Sequence, residues 1–261
     1  MQIVQTMRRL IAIMSCHAKR SWADAQRQTW VKDIVSSGYA DVKFFYGAPV
    51  VLSDVMPKSD EVWLDVDDSY AGIPLKVQGI CKYAVKHCYD YVAKCDDDVY
   101  VVPQRFPSLP LTAGYIGRFR SPYGTVYPVH FASGFWYWLD NHCAQIVADT
   151  PWNDDWMDER FVSTALARHG IGGYMDSVNY MVSGPSLVGL AVLNHDIFRH
   201  GTVFCEYGPK EMWAMHLAMR HLNPVANHPG LMRQHLPVVT EAILRSRPTD
   251  KIPPHKLNRS Y

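Results

Sequence analysis

The sequence predicts an α/β fold, because short runs of β-branched and aromatic residues alternate with helix-length periodic segments. The chain has 261 residues, of which 48% are hydrophobic and 20% charged, and this composition is ordinary for a folded domain. We expect one domain over residues 1–247. A loose tail is expected at 248–261, because three prolines fall within its first seven residues.

The first half of the chain alternates strands with helices. The apolar run Leu10–Cys16 predicts a buried strand. A helix is expected from Ser21, a residue type that caps helix starts, to Ser36, with Gly38 as its stop signal. The same kinds of pattern predict strands at 42–46, 61–64 and 91–94 and a helix at 74–89.

The second half shows fewer clear elements. Extended segments are predicted at 115–119 and 135–139, and a further apolar, strand-like run begins at Leu187. Periodicity predicts helices at 158–169, 211–221 and 231–245. Neither GxGxxG nor GxxxxGK[ST] occurs, so the usual dinucleotide-binding and P-loop signatures do not explain this α/β pattern.

Charge and hydropathy exclude several classes of protein. Lys plus Arg number 26 against 25 Asp plus Glu, so the chain has no general field for nucleic acid or an anionic membrane. No apolar run approaches the roughly 18 residues of a membrane span, and no secretory signal is present. We therefore expect a soluble, intracellular protein. Its six cysteines form no CxxC pair, which favours reduced core thiols over a zinc site.

Carboxylates are concentrated at residues 61–68, 96–98 and 154–159, and the middle group carries the clearest chemistry. It directly follows a predicted strand, and open α/β sheets bind their ligands beyond strand ends. In extended chain the side chains of Asp96 and Asp98 point the same way, whereas Asp97 faces elsewhere. Asp96 and Asp98 can therefore share one hard divalent cation that keeps positions open for a diphosphate.

Four blocks of sequence, in order over residues 20–102, carry a resemblance to a known family. They are Arg20 with Arg27-Gln-Thr-Trp30, Phe45-Tyr-Gly47, Asp68-Ser-Tyr70 with Leu75-Lys76, and Lys94-Cys-Asp-Asp-Asp98 with Val99. Together they resemble the motifs of glycosyltransferase family 31. This family comprises inverting, metal-dependent β-1,3-galactosyl- and N-acetylglucosaminyltransferases and the Fringe-like enzymes.

The second half resembles the same family less closely. Tyr127-Pro128 followed by Ala132-Ser-Gly134 resembles the acceptor-side Tyr-Pro…Ser-Gly-Gly-Gly-Tyr motif, with shifted spacing and an aromatic pair where further glycines are usual. Asp158-Glu-Arg-Phe-Val-Ser163 resembles the Glu-Asp-Val-x-x-Gly motif, with the two acids exchanged and Ser for Gly. Four tryptophans on this side suit either stacking on an acceptor or core packing: Trp136, Trp138, Trp152 and Trp156.

The resemblance implies a GT-A fold, in which one twisted mixed sheet flanked by helices has a donor half at about 1–102 and an acceptor half at about 103–247. It implies a UDP-sugar donor, a Mn²⁺ or Mg²⁺ cofactor, and a carbohydrate or other hydroxyl-bearing acceptor. The implied nucleotide-sugar-binding residues are Arg20, Arg27, Asp68, Lys76, Lys94, Asp96 and Asp97. The implied metal ligands are Asp96, Asp98 and His195, with His200 and His216 as competitors for the histidine position.

An acceptor hydroxyl needs a general base, and the second-half motif implies Asp158 or Glu159 for this role. Counting back from Ser163, which replaces the family's glycine, favours Glu159. The two residues are neighbours at a helix start, where side chains diverge by about 100°, so only one of them can face the acceptor. Asp155 is the next candidate.

Two other functions remain open on the residues alone: a metal-dependent phosphotransferase or nuclease that uses the same acidic clusters, and a non-catalytic nucleotide-sugar-binding module. Residues 199–261 hold 9 Lys plus Arg against 4 Asp plus Glu, a mild bias that would suit an anionic acceptor such as modified nucleic acid. Because the membrane anchor and stem of the eukaryotic enzymes are missing, we expect a prokaryotic, phage or viral enzyme. It would work in the cytoplasm of a bacterium or of a virus-infected host cell.

Overall fold

The computed structural model of the protein describes residues 7–48, 56–108, 111, 113–120, 130–152, 157–175, 180–183 and 201–222. Within these residues the chain forms one sheet of seven strands and one of three strands, with helices packed against them. The predicted α/β class is therefore confirmed. A large mixed sheet flanked by helices is also consistent with the GT-A type of architecture.

The strands follow one another along the chain in ten short segments. They are β1 (Arg9–Met14), β2 (Asp41–Ala48), β3 (Glu61–Asp67), β4 (Tyr91–Asp96), β5 (Tyr100–Val101), β6 (Tyr115–Arg120), β7 (Phe131–Asp140), β8 (Tyr174–Met175), β9 (Tyr180–Ser183) and β10 (Gly201–Cys205). The described helices are α1 (Arg20–Gln26), α2 (Lys32–Ser37), α3 (Ile73–Lys86), α4 (Asn141–Asp149), α5 (Asp158–Arg168) and α6 (Pro209–Leu222). Three short 3₁₀ turns lie at His17–Lys19, Tyr70–Gly72 and Pro103–Ser108.

The large sheet has the strand order β3-β2-β1-β4-β7-β6-β8. Strands β1 to β4 run parallel to one another, whereas β7 is antiparallel to both β4 and β6. The carboxyl ends of β1 to β4 therefore share one edge of the sheet, where open α/β sheets bind ligands. The small sheet, in the order β5-β10-β9, follows directly from the Asp96–Asp98 turn through β5.

Both faces of the large sheet are buried, as expected for a sheet whose parallel half is covered by helices. Alternate residues of β1 serve the two sides: Ile11 and Ile13 pack in one core cluster, and Leu10 and Ala12 in the other. The first cluster includes residues of α1, α2 and α6, and the second includes residues of α3, α4 and α5. Trp30, predicted as core, is completely buried in the first cluster.

The predicted helix 21–36 is present but is not continuous. A π-helical turn at Arg27–Val31 separates α1 from α2, and within it Thr29 leaves helical backbone geometry. The Thr29 hydroxyl donates a hydrogen bond to the Ala25 carbonyl at 2.6 Å, a local bond that competes with the regular helical pattern. Gly38 ends α2 with a φ of 67°, so the predicted stop is confirmed.

Helix α4 was not predicted from the sequence, although its start carries a recognisable signal. Asp140 caps it, because its side chain accepts a hydrogen bond from the Cys143 amide at 2.7 Å. The predicted strand at 135–139 also begins earlier, at Phe131, because Phe131 and Ala132 pair with the end of β6. The predicted helix 231–245, the run from Leu187 and the tail at 248–261 lie outside the described residues.

Two expectations concern membranes and thiols. No helix in the described segments combines the length and apolarity needed to cross a bilayer. All six cysteines are free. Four of them are buried: Cys81, Cys95, Cys143 and Cys205. The thiol prediction therefore holds for these four, whereas Cys16 is half-buried and Cys88 is exposed.

Candidate active site

The Asp96–Asp98 turn lies at the carboxyl edge of the sheet, where β4 ends at Asp96. Its backbone is fixed from two sides. The Gln26 amide group donates hydrogen bonds to the carbonyls of Asp96 at 3.1 Å and Val99 at 2.9 Å, and the Tyr207 amide donates to the Asp98 carbonyl at 2.9 Å. The turn is thus held by α1 on one side and by the segment after β10 on the other.

The three aspartates of the turn have different surroundings. Asp97 is buried, and both of its oxygens are engaged by the loop that follows β1: Ser15 donates to Oδ2 and Lys19 to Oδ1, each at 2.9 Å. Asp96 and Asp98 are half-buried. The Asp97 carboxylate is thus directed to the loop after β1, whereas the Asp96 carboxylate pairs with Lys94. That Asp96 and Asp98 share one cation stays a prediction. The contact of Asp97 with a donor sugar stays a prediction as well.

Lys94 is a buried ammonium between the turn and the second half of the sheet, with its side chain 3% exposed. Its Nζ lies 2.6 Å from Asp96 Oδ1 and 3.3 Å from Asp158 Oδ2, and it also donates to the Gly134 carbonyl. Burial alone lowers the pKa of Lys94, but the charges of Asp158 and Asp96 raise it above its usual value. The two carboxylates therefore stabilise the charged form of Lys94 against its burial.

The first turn of α5 brings the two predicted base candidates to this lysine. Asp158 is buried and forms an ion pair with Lys94. It also accepts a hydrogen bond from the Tyr137 hydroxyl at 3.3 Å. Glu159 is half-buried and lies over Gly134, where an added β-carbon would be 3.0 Å from Glu159 Oε2. Gly134 thus leaves the space that the Glu159 carboxylate occupies.

The electrostatics of this cluster are dominated by burial and by like charge. Burial raises the pKa of Glu159, and the charge of Asp158 and a hydrogen bond with it raise the pKa further. Burial also raises the pKa of Asp96, with Asp158 adding to the effect and Lys94 opposing it. The pKa of Glu159 is thereby brought closer to neutral pH, which suits a general base.

Asp68 and Lys76 form contacts that link the ends of β1, β2 and β3. The Asp68 carboxylate accepts from the backbone amides of His17 and Gly47 and from Lys76 Nζ, each at 2.7 Å. Gly47 is required here, because a β-carbon would lie 2.6 Å from the Asp68 backbone. Lys76 is buried and also donates to the Ser15 carbonyl at 3.0 Å. Both residues lie at the predicted edge, and direct contact with a donor stays a prediction.

Arg20 and Arg27 differ in their environment. Arg20 stands at the start of α1, 28% exposed, with its guanidinium over the rings of Tyr46 and Trp63 and within 3.2 Å of the Glu61 carboxylate. Arg27 follows seven residues later, about 10 Å further along the helix. It is 15% exposed and pairs with three carboxylates: Asp24 at 2.8 Å, Asp60 at 2.7 Å and Glu61 at 2.9 Å.

These ion pairs lead to a prediction for stability. We expect Arg27→Ala to lower the free energy of unfolding by about 2–3 kcal/mol, because it removes the partner of three carboxylates, among them the completely buried Glu61 side chain. Arg20→Ala, the matched control, should cost less, because Arg20 is more exposed and pairs with Glu61 alone among the carboxylates of the described residues. Urea unfolding of both variants measures the difference. Equal losses would contradict this ranking.

Several other predicted residues lie away from the cluster or outside the described residues. His195, His200, Asp154, Asp155 and Trp156 belong to the segments that are not described. His216 is buried in α6 and contacts the Tyr100 hydroxyl at 3.2 Å. Trp136 and Trp138 are core residues, whereas Trp152 is exposed and remains a candidate for contact with an acceptor. Among the described residues, no group of three or more His, Cys, Asp or Glu side chains is arranged to hold a metal ion.

The sequence reasoning missed three residues that the structure places at this edge: Ser15, Lys19 and Tyr137. The first two could have been found, because Ser15 lies at the end of the predicted first strand and Lys19 shortly after it, as Asp96–Asp98 lie at the end of β4. Tyr137 could not, since its place beside Lys94 depends on the antiparallel register of β4 and β7. That pairing joins residues more than forty positions apart.

Comparison with known proteins bears on the first half of the chain. Residues 24–118 match a family model described as Galactosyltransferase. This range includes Arg27, Asp68, Lys76 and the Asp96–Asp98 turn. A comparison with curated protein sequences finds no match.

Among solved structures, the chain is similar to a glycosyltransferase involved in the glycosylation of the major capsid of PBCV-1. The two share 14% sequence identity, and the similarity covers 81% of this chain and 99% of the other, with a TM-score of 0.48. The family match spans about a third of the chain and contains the four first-half blocks of the sequence resemblance except Arg20. It supports the prediction that the protein is a glycosyltransferase.

Proposed function

We propose that the protein is a metal-dependent, inverting glycosyltransferase that moves a hexose from a UDP-sugar to a hydroxyl group of an acceptor. The observation that carries this proposal is the cluster at the carboxyl edge of the sheet. There, Lys94 joins Asp96 of the donor-side turn to Asp158, the neighbour of Glu159. A cation-binding turn and a proton-accepting carboxylate are thus adjacent, as sugar transfer to a hydroxyl requires.

The residues of the turn fit a divalent cation. Asp96 Oδ1 is engaged by Lys94, whereas Oδ2 has no hydrogen-bond partner among the described residues. Carboxylate oxygens are the ligands of Mg²⁺ and Mn²⁺, and such ions are commonly held by one or two carboxylates plus substrate phosphates. Asp96 and Asp98 would hold the ion, with His195 as the proposed third ligand. When bound, the cation would neutralise charge on the departing diphosphate.

The loops around the turn would bind the donor. Arg20 is partly exposed, carries a planar fork suited to phosphate oxygens, and lies beside aromatic rings at the same edge of the sheet. Asp68 and Lys76 fix the ends of β1, β2 and β3 relative to one another. We propose that these contacts of Asp68 and Lys76 hold the donor pocket in its binding geometry before the donor arrives. The resemblance to β-1,3-galactosyl- and N-acetylglucosaminyltransferases favours UDP as the nucleotide.

Glu159 would act on the acceptor. Its carboxylate takes the proton of the attacking hydroxyl, which then forms the new bond at the anomeric carbon as the bond to UDP breaks. Asp158 is a weaker candidate for the base, because it is buried and already paired with Lys94 and Tyr137. A carbohydrate is the proposed acceptor class. Modified nucleic acid is a second possibility, suggested by the basic bias of residues 199–261.

Thermal-shift screening tests the donor assignment. UDP-, GDP- and TDP-sugars are each added with and without Mn²⁺, and the melting temperature is measured. Because a ligand that binds the native state raises its stability by mass action, the UDP-sugar with Mn²⁺ should give the largest increase. Stabilisation by a GDP- or TDP-sugar instead, or by none of them, would contradict the assignment.

A further inference from the structure

Three protein groups surround the Lys94 ammonium. An ammonium group carries three N–H donors. The Lys94 ammonium donates hydrogen bonds to the Asp96 carboxylate on β4 and the Gly134 carbonyl on β7, and it forms an ion pair with the Asp158 carboxylate on α5. Since its side chain is also 3% exposed, a diphosphate could reach Lys94 only by displacing one of these partners.

We propose that Lys94 is a positioning residue, whose ammonium fixes the first turn of α5 against β4 and β7 and so directs the Glu159 carboxylate toward the acceptor. This inference rests on the proposed function and deepens it. It gives Lys94 a different role from the donor contact that the family resemblance implies. The strands β4 and β7 and the helix α5 meet at the Lys94 ammonium, and β7 and α5 belong to the predicted acceptor half.

Charge explains why a lysine is needed at this position. Asp96, Asp158 and Glu159 lie around one cation, so removing it would leave three acids in a largely buried cluster. The described titratable groups that act on Glu159 or that Glu159 acts on are Asp158 on its own helix, Lys94 from β4, Tyr115 from β6 and Tyr137 from β7. Of these, Lys94 alone carries positive charge. Loss of this charge should therefore make the Glu159 carboxyl hold its proton to higher pH.

The test measures this proton directly in the protein without substrate. The chain contains five glutamates, so selective ¹³C labelling of glutamate carboxyl groups gives five NMR signals, and Glu159→Gln assigns the relevant one. In Lys94→Met, the Glu159 carboxyl should lose its proton about one pH unit or more above the wild-type value, because the cation that pairs with the neighbouring Asp158 has been removed. An unchanged titration would overturn the proposal.

Lys76→Met is the matched control. Lys76 is equally buried and also has three acceptors: Asp68 Oδ1 and the carbonyls of Ser15 and Asp68. Its loss removes the same kind of group without touching α5, so the Glu159 signal should titrate as in wild type. An equal shift in both variants would show a general effect of losing a buried lysine and would overturn the proposal. If Lys94→Met does not fold, Lys94→Gln removes the charge while keeping an N–H donor for Gly134.

Kinetics separate this proposal from the proposed function. If the wild-type protein transfers sugar, Lys94→Met should lower kcat at pH 7 and recover part of it at higher pH, in step with the Glu159 titration. Loss of kcat with no change in its pH dependence would contradict the positioning role. If the wild-type protein transfers no sugar, the proposed function fails, and the NMR titration still decides what Lys94 does.

Discussion

Replacing Glu159 by Gln should lower kcat by about 10²–10⁴-fold while leaving metal-dependent UDP binding near its wild-type value. This is the range expected when a general base is lost. Gln keeps the size of the side chain over Gly134 but cannot accept the hydroxyl proton. Steady-state kinetics with an identified acceptor, together with calorimetry of UDP binding, measure the two parts of this prediction.

The pH dependence of the wild-type enzyme provides a second readout. A general base is active in its deprotonated form, and burial together with Asp158 raises the pKa of Glu159 above its usual range. The rate should therefore rise with pH at values well above about 4.3, the pKa of an unperturbed glutamate. The residual activity of Glu159→Gln should lack this rise.

Asp158→Asn is the comparison that distinguishes the two acids. Asp158 is buried and paired, so this variant should lose less kcat than Glu159→Gln and should lose some stability through the Lys94 contact. A larger loss of kcat in Asp158→Asn would exchange the roles. Near-normal kcat in both variants would place the base elsewhere, with Asp155 as the next candidate.

The second large effect concerns the metal. Asp98→Ala should weaken Mn²⁺-dependent UDP binding by more than about 100-fold, because even the loss of an outer hydrogen-bonding partner costs about 10–100-fold in metal affinity. The fold should persist, since the backbone of the turn is held by Gln26 and Tyr207 independently of this side chain. Removing the metal with EDTA should abolish activity in wild type.

Asp149→Ala is a suitable control for this variant, because it removes a carboxylate at the exposed end of α4. It should bind UDP and Mn²⁺ as wild type does. Unchanged UDP affinity in Asp98→Ala, or full wild-type activity in EDTA, would remove Asp98 from the metal site.

The sequence predicted much of the donor-side edge because the relevant signals are local. Each of the strands β1 to β4 is a short apolar or β-branched run, and the acids that follow β4 are contiguous with it. The end of α2 could be predicted from Gly38 alone, because glycine readily adopts the left-handed backbone that ends a helix. The alternation of half-buried Asp96 and Asp98 with buried Asp97 agrees with the same local geometry.

Side-chain partners were less predictable, because they depend on residues distant in the chain. Arg27 was expected near the donor, but Asp60 and Glu61, more than thirty positions away, surround its guanidinium. Lys94 lies opposite Tyr137 through the antiparallel pairing of β4 with β7, and it reaches Asp158 because α5 packs against β7; no local pattern encodes either contact. The residues at the carboxyl edge of the sheet could therefore be identified from the sequence. The link through Lys94 between the Asp96–Asp98 turn and Asp158 was visible only in the structure.

The most direct test of the proposed function is UDP release from a UDP-hexose, measured in the presence of Mn²⁺ and again in EDTA. Wild-type protein should release UDP slowly when water is the acceptor and faster with a suitable hydroxyl acceptor, in both cases only with the metal. Glu159→Gln should release little UDP. Binding of UDP and Mn²⁺ without any release would indicate a non-catalytic binding module, and cleavage of phosphodiester substrates instead would indicate a nuclease or phosphotransferase; either result would contradict sugar transfer.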